Sequence, residues 1–86
     1  MENLKIATAQ FEHRNGDKNY NLEAIEKLSA QAAQEGARVV TFHECSVSGY
    51  AFARHLTKEQ MLDIAEFIPE GDSIKSLQHI AKKNDI

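Results

Sequence analysis

Between about Asn19 and Glu35 the chain is rich in Ala, Glu, Leu and Gln, all good helix formers, and short apolar runs bracket this stretch. That bracketing constrains the fold more than any other feature. Leu22, Ile25, Leu28 and Ala32 recur at helical spacing and predict one buried stripe. Asn15-Gly16-Asp17 is a turn signal ahead of the helix, with Asp17 placed to cap it. Gly36 follows directly and suits a left-handed C-terminal cap. Upstream, Leu4 to Gln10 alternates loosely and reads as a first strand. Downstream, Arg38-Val39-Val40-Thr41-Phe42 is β-branched and aromatic and apolar on both faces, as in a parallel sheet covered on both sides. Strand, helix and strand at this spacing predict a right-handed βαβ unit and an α/β fold class.

The remainder reads as a loop from His43 to Leu56, with Gly49 in it, and two more helices. Thr57-Lys58-Glu59-Gln60 matches a capping box, and the helix it opens is expected to run until Pro69. Glu70-Gly71-Asp72 is a turn, with Asp72 as the expected N-cap of a last helix. Ile74, Leu77, Ile80 and Ala81 line one face of that helix. Lys82 and Lys83 fall in its final turn, where cations complement the helix dipole, and Asn84 suits a left-handed cap. No repeat or linker divides the chain, so residues 1–86 are expected to form one unit. Two strands and three helices leave open sheet edges and uncovered apolar faces. The expectation is a truncated chain, with a third strand due after Ile86, or one that finds partner surface in another copy.

Composition narrows the function classes. With 42% hydrophobic and 27% charged residues, the 86-residue chain has the profile of a soluble globular unit. A formal net charge of −3 without a basic stripe argues against nucleic acid as a partner. The longest apolar runs are far too short to span a membrane, and the start at Met1 lacks the pattern of a signal peptide. Cys45 is the single cysteine, so no intramolecular disulfide can form, and a reducing, cytoplasmic setting is expected.

Chemistry-bearing side chains concentrate in Thr41 to Tyr50. Ligands of parallel α/β sheets gather at the carboxyl ends of strands, where Glu44 is expected, and a desolvated carboxylate there could act as a general base. Position alone favours a solvated loop glutamate. His43 and Cys45 are two apart, but His13, His55 and His79 supply no zinc-like spacing, so no metal is expected. Ser46-Val47-Ser48-Gly49 lacks the first glycine of a nucleophile elbow. Gly16, Gly36, Gly49 and Gly71 are isolated and form no phosphate-cradling loop.

The run Phe42-His43-Glu44-Cys45-Ser46-Val47-Ser48-Gly49-Tyr50 resembles the segment around the catalytic glutamate of the nitrilase superfamily of carbon–nitrogen hydrolases. Ala9-Gln10 at the end of the first strand, Gly36-Ala37 before Val39-Val40, the Pro69-Glu70-Gly71 turn and the closing Ala81 to Ile86 agree in order. The resemblance covers essentially the whole chain. It implies the first part of an α-β-β-α sandwich, a small amide-type substrate, no cofactor and association of copies. It also implies that Glu44 is the general base of a Glu-Lys-Cys site, and that Tyr50 and Phe52 could line a pocket mouth, although packing would explain both equally well. The nucleophilic cysteine and the lysine of that site have no matching position here. Cys45 is not a substitute, because successive side chains of an extended segment face opposite ways, so it is expected to be a packing residue. His43 stands where the family usually has proline, which is expected to leave the strand end less rigid. A non-catalytic α/β module that self-associates is the alternative to the hydrolase.

Overall fold

A computed structural model describes residues 3–86. Strands β1 (Ile6–Ala9) and β2 (Val39–Phe42) pair in parallel, Ile6 opposite Val39 and Ala9 opposite Phe42. Helix α1 (Lys18–Gln34) makes the crossover between them. A five-residue 3-10 turn, Ala51–His55, precedes helices α2 (Lys58–Ile64) and α3 (Asp72–Asn84). The expected α/β class is therefore observed. Each strand is shorter than its apolar run, and the expected loop after β2 contains the 3-10 turn.

Local chemistry sets the ends of α1. The Asp17 carboxylate accepts the Tyr20 N–H at 3.1 Å, satisfying a first-turn donor that has no partner within the helix. At the other end Gly36, at φ +88°, donates to Ala33 O, and Ala37 donates to Ala32 O, each at 3.0 Å. This pair of bonds is a Schellman cap, and the positive φ is what demands glycine.

The buried stripe of α1 keeps Ile25 and Ala32 as expected but has Asn21 and Ser29 in place of Leu22 and Leu28. Asn21, Ile25, Ser29 and Ala32 are buried, whereas Leu22 and Leu28 are only half-buried. The neighbours set this: α3 packs along α1, and the Asn21 amide bonds the main chain of Arg14 and Val47. Ile80 of α3 is buried here, and Lys83 reaches Glu26 of α1 at 3.0 Å. The fully buried apolar core comprises Ile25, Ala32, Ala37 and Ile80 among the described residues.

Tertiary contacts, not local signals, decide the next boundaries. Thr57 and Gln60 form the expected capping box, with reciprocal bonds of 3.2 and 2.8 Å. Helix α2 nevertheless ends at Ile64, short of Pro69, because Lys18 of α1 donates to Ile64 O and to the Glu66 carboxylate at 2.6 Å. Glu66 Oε1 in turn accepts the Ser73 N–H at 2.7 Å. The N-cap of α3 is consequently Gly71, not Asp72, and the capping carboxylate comes from Glu66. At the C-terminal end Asp85, not Asn84, takes the left-handed conformation, at φ 52°. The Asn84 amide is instead turned back onto Ile80 O at 2.9 Å.

The sheet is covered on one side only among the described residues, so one face of the strand pair stays open, as expected of two strands with three helices. Ala7, Ala9, Val40 and Phe42 are half-buried, while Thr8 and Thr41 are exposed, as are Ile6 (55%) and Val39 (38%). Helix α1 packs against β2 and α3 packs against α1, so both lie to the same side.

Candidate active site at the strand ends

The parallel register brings both strands to their carboxyl ends at the same level, at Ala9 and Phe42. A cavity of about 280 Å³ lies there, lined by Thr8, Ala9, Gln10, Thr41, Phe42 and His43. Phe11 stands edge-on to Phe42 and to His43, with ring centroids 6.3 and 4.9 Å away. His43 also stacks with His13, and Nδ1 of His13 is 3.1 Å from Nε2 of His43. His43 thus links the end of β2 to the segment after β1 through its ring. The Nδ1 atom of His43 is buried without a hydrogen-bond partner.

Glu44 follows His43 and opens the turn 44–48, exposed to solvent two residues beyond the end of β2. Cys45 is exposed too, at φ 56°, which corrects the expectation of a packing residue. The segment is a turn and not an extended strand, closed by the Gly49 N–H donating to Cys45 O at 2.8 Å. Ser46, Val47 and Ser48 are half-buried within it.

The turn is fastened to the loop after β1. Gly16 N–H donates to Ser48 O at 2.8 Å. Gly49 is buried at φ +93°, and a Cβ there would lie 2.9 Å from Asn15 Cα. Only glycine satisfies both conditions. Asn21 completes the join with bonds to the main chain of Arg14 and Val47. Sequence reasoning missed Asn21. Its signal is its place four residues before Ile25 on the same helix face, where a polar residue must be satisfied by neighbouring loops.

The aromatic residues after Gly49 divide. Phe52 is half-buried against the Gly16 and Gly49 backbone, a packing position. Tyr50 is 58% exposed. Among the described residues no group of three His, Cys, Asp or Glu side chains could hold a metal ion. No helix among them is long and apolar enough to cross a membrane.

A parallel strand pair with a crossover helix is the βαβ unit of α/β folds, whose ligands gather at the carboxyl ends of the strands, where the Glu44 turn lies. The sequence profile of the carbon–nitrogen hydrolase family matches residues 5–86, and the chain belongs to that family within the nitrilase superfamily. It is similar to a protein named nitrilase from Pyrococcus abyssi (strain GE5 / Orsay), with 30% identity over 83 residues. The match takes in 96% of this chain and 30% of that relative's length.

Proposed function

We propose that this segment supplies the general base, Glu44, for hydrolysis of a nonpeptide carbon–nitrogen bond, an amide or N-carbamoyl group in preference to a nitrile. The observation that carries the reading is the position of Glu44, on an anchored turn at the carboxyl ends of paired parallel strands, directly after His43, which lines a cavity there. The thiol nucleophile and the lysine come from the part of the family's length that these residues do not cover. Glu44 takes the thiol proton, and the thiolate forms a bond to the carbonyl carbon. The lysine stabilises the resulting oxyanion. The C–N bond then breaks, and the amine leaves with the proton from Glu44. Water, deprotonated by Glu44, cleaves the thioester and restores the thiol. A base is needed because a thiol at its ordinary pKa is only about a few per cent thiolate near neutrality.

The same reading carries a small amide-type substrate, Tyr50 near its mouth, no cofactor and a cytoplasmic setting. The test is a panel of amides, N-carbamoyl compounds and nitriles offered to a full-length form carrying this segment. Release of ammonia or amine from the first two classes is the expected result, and inertness to all three would refute the proposal. The 86-residue chain alone is expected to turn over none of them. Turnover that disappears with Cys45→Ala would show that the nucleophile was misassigned.

The exposed Ile6 and Val39 favour a second property, association of copies through the open sheet face. Light scattering tests it, as argued in the Discussion.

A further inference from the structure

We infer that Asn21 is a positioning residue for Glu44, setting the place of the base through the main chain; the inference rests on the reading of Glu44 as that base. The Asn21 side chain has no exposed surface. Nδ2 donates to Arg14 O and to Val47 O, and Oδ1 accepts the Arg14 N–H, all at 2.8 Å. Both amide protons are thereby used, and the carbonyl has its donor. The arrangement fixes which way the amide points, because two of its partners are carbonyls and the third is an N–H. Aspartate, nearly the same shape, would set oxygens against two carbonyls.

Asn21 lies in the first turn of α1, its own N–H bonded to Asp17 O at 3.1 Å, so the clamp stands on a rigid element. It grips the loop after β1 at Arg14 and the turn after β2 at Val47. The adjoining bond from Gly16 to Ser48 and the close packing of Gly49 on Asn15 extend that seam. Glu44 therefore spans two fixed points, Phe42 in the sheet and Val47 on Asn21. No contact between Asn21 and the carboxylate is needed, since the backbone carries the constraint. A small shift of a base relative to the proton it must take slows the chemical step far more than it weakens substrate binding.

The experiment compares Asn21→Asp, Asn21→Ser and Glu44→Gln in a full-length form carrying this segment, with kcat, KM and melting temperature measured for each. The expected result is a folded Asn21 variant whose kcat falls by about 10- to 100-fold while KM stays nearly unchanged, Asp being worse than Ser. A purely structural residue would leave the kcat of the folded enzyme alone, however far the melting temperature falls. That outcome, or failure of both Asn21 variants to fold, would overturn the inference. Full activity in Glu44→Gln would instead mark the base itself as wrongly assigned, whatever Asn21 does.

Discussion

Glu66 shows how one side chain can settle boundaries that local sequence leaves open. Its hydrogen bond from the Lys18 ammonium, joined by the Ser73 amide, lowers its pKa from the ordinary 4.5 to about 2. A carboxylate whose pKa is lower in the folded than in the unfolded chain stabilises the fold above the unfolded value. That contribution is lost as pH falls from 4.5 through about 2. Glu66→Gln should therefore melt below the wild type near neutrality, and the gap should close across that acid window. A gap that stays constant with pH would mean that the Lys18 contact contributes little. The helix end at Ile64 and the cap of α3 were illegible in the sequence for the same reason: Lys18 lies far from both along the chain. Glu44 was singled out because its neighbours carry a pattern, whereas Asn21 was not, because its partners are main-chain groups of two loops.

At the scale of elements, the signals that held are those confined to a few adjacent residues. Asp17, the Thr57–Gln60 box and Gly36 each close a helix end with bonds to groups within about a turn, so spacing alone exposes them. The stripe of α1 was legible at Ile25 and Ala32 but not at Asn21 and Ser29, polar residues that do not look like core. Ile25→Ala should accordingly cost about 2–5 kcal/mol in chemical denaturation, a usual range for a buried isoleucine. Leu28→Ala should cost clearly less, and equal losses would restore the stripe expected from apolar spacing. Two of the three positive-φ glycines, Gly36 and Gly49, should also separate. A left-handed residue with a side chain costs about 1–2 kcal/mol, and Gly36→Ala meets little else, its nearest neighbour being Lys5 Cδ at 3.9 Å. Gly49→Ala adds a collision with Asn15 Cα at 2.9 Å, so it should be the more damaging in thermal melts.

For the whole molecule, the sheet is the unfinished part. Ile6 and Val39 leave an apolar face in solvent, and Leu62, Phe67 and Ile68 are exposed at 63%, 84% and 78%. Removal of apolar surface from water yields roughly 25 cal/mol per Å², and the open strand edges offer unpaired amides and carbonyls to a second chain. The 86-residue chain should therefore be dimeric or larger in light scattering over a concentration series. Val39→Lys should shift it towards monomer, and a sharply melting wild-type monomer would show that the face needs no cover. The α/β class followed from the strand–helix–strand order, and an uncovered face from a run apolar on both sides with too few helices to cover it; what covers that face could not follow, because such a run does not name its partner. The central claim, that this scaffold presents Glu44 as a general base, is tested most directly by Glu44→Gln in a full-length form, with kcat/KM and melting temperature measured together. A general base contributes typically about 10²- to 10⁴-fold in rate, and an exposed carboxylate beyond a strand end contributes little to stability. The account predicts a loss of that size at an unchanged melting temperature; activity kept by the folded glutamine variant would contradict it.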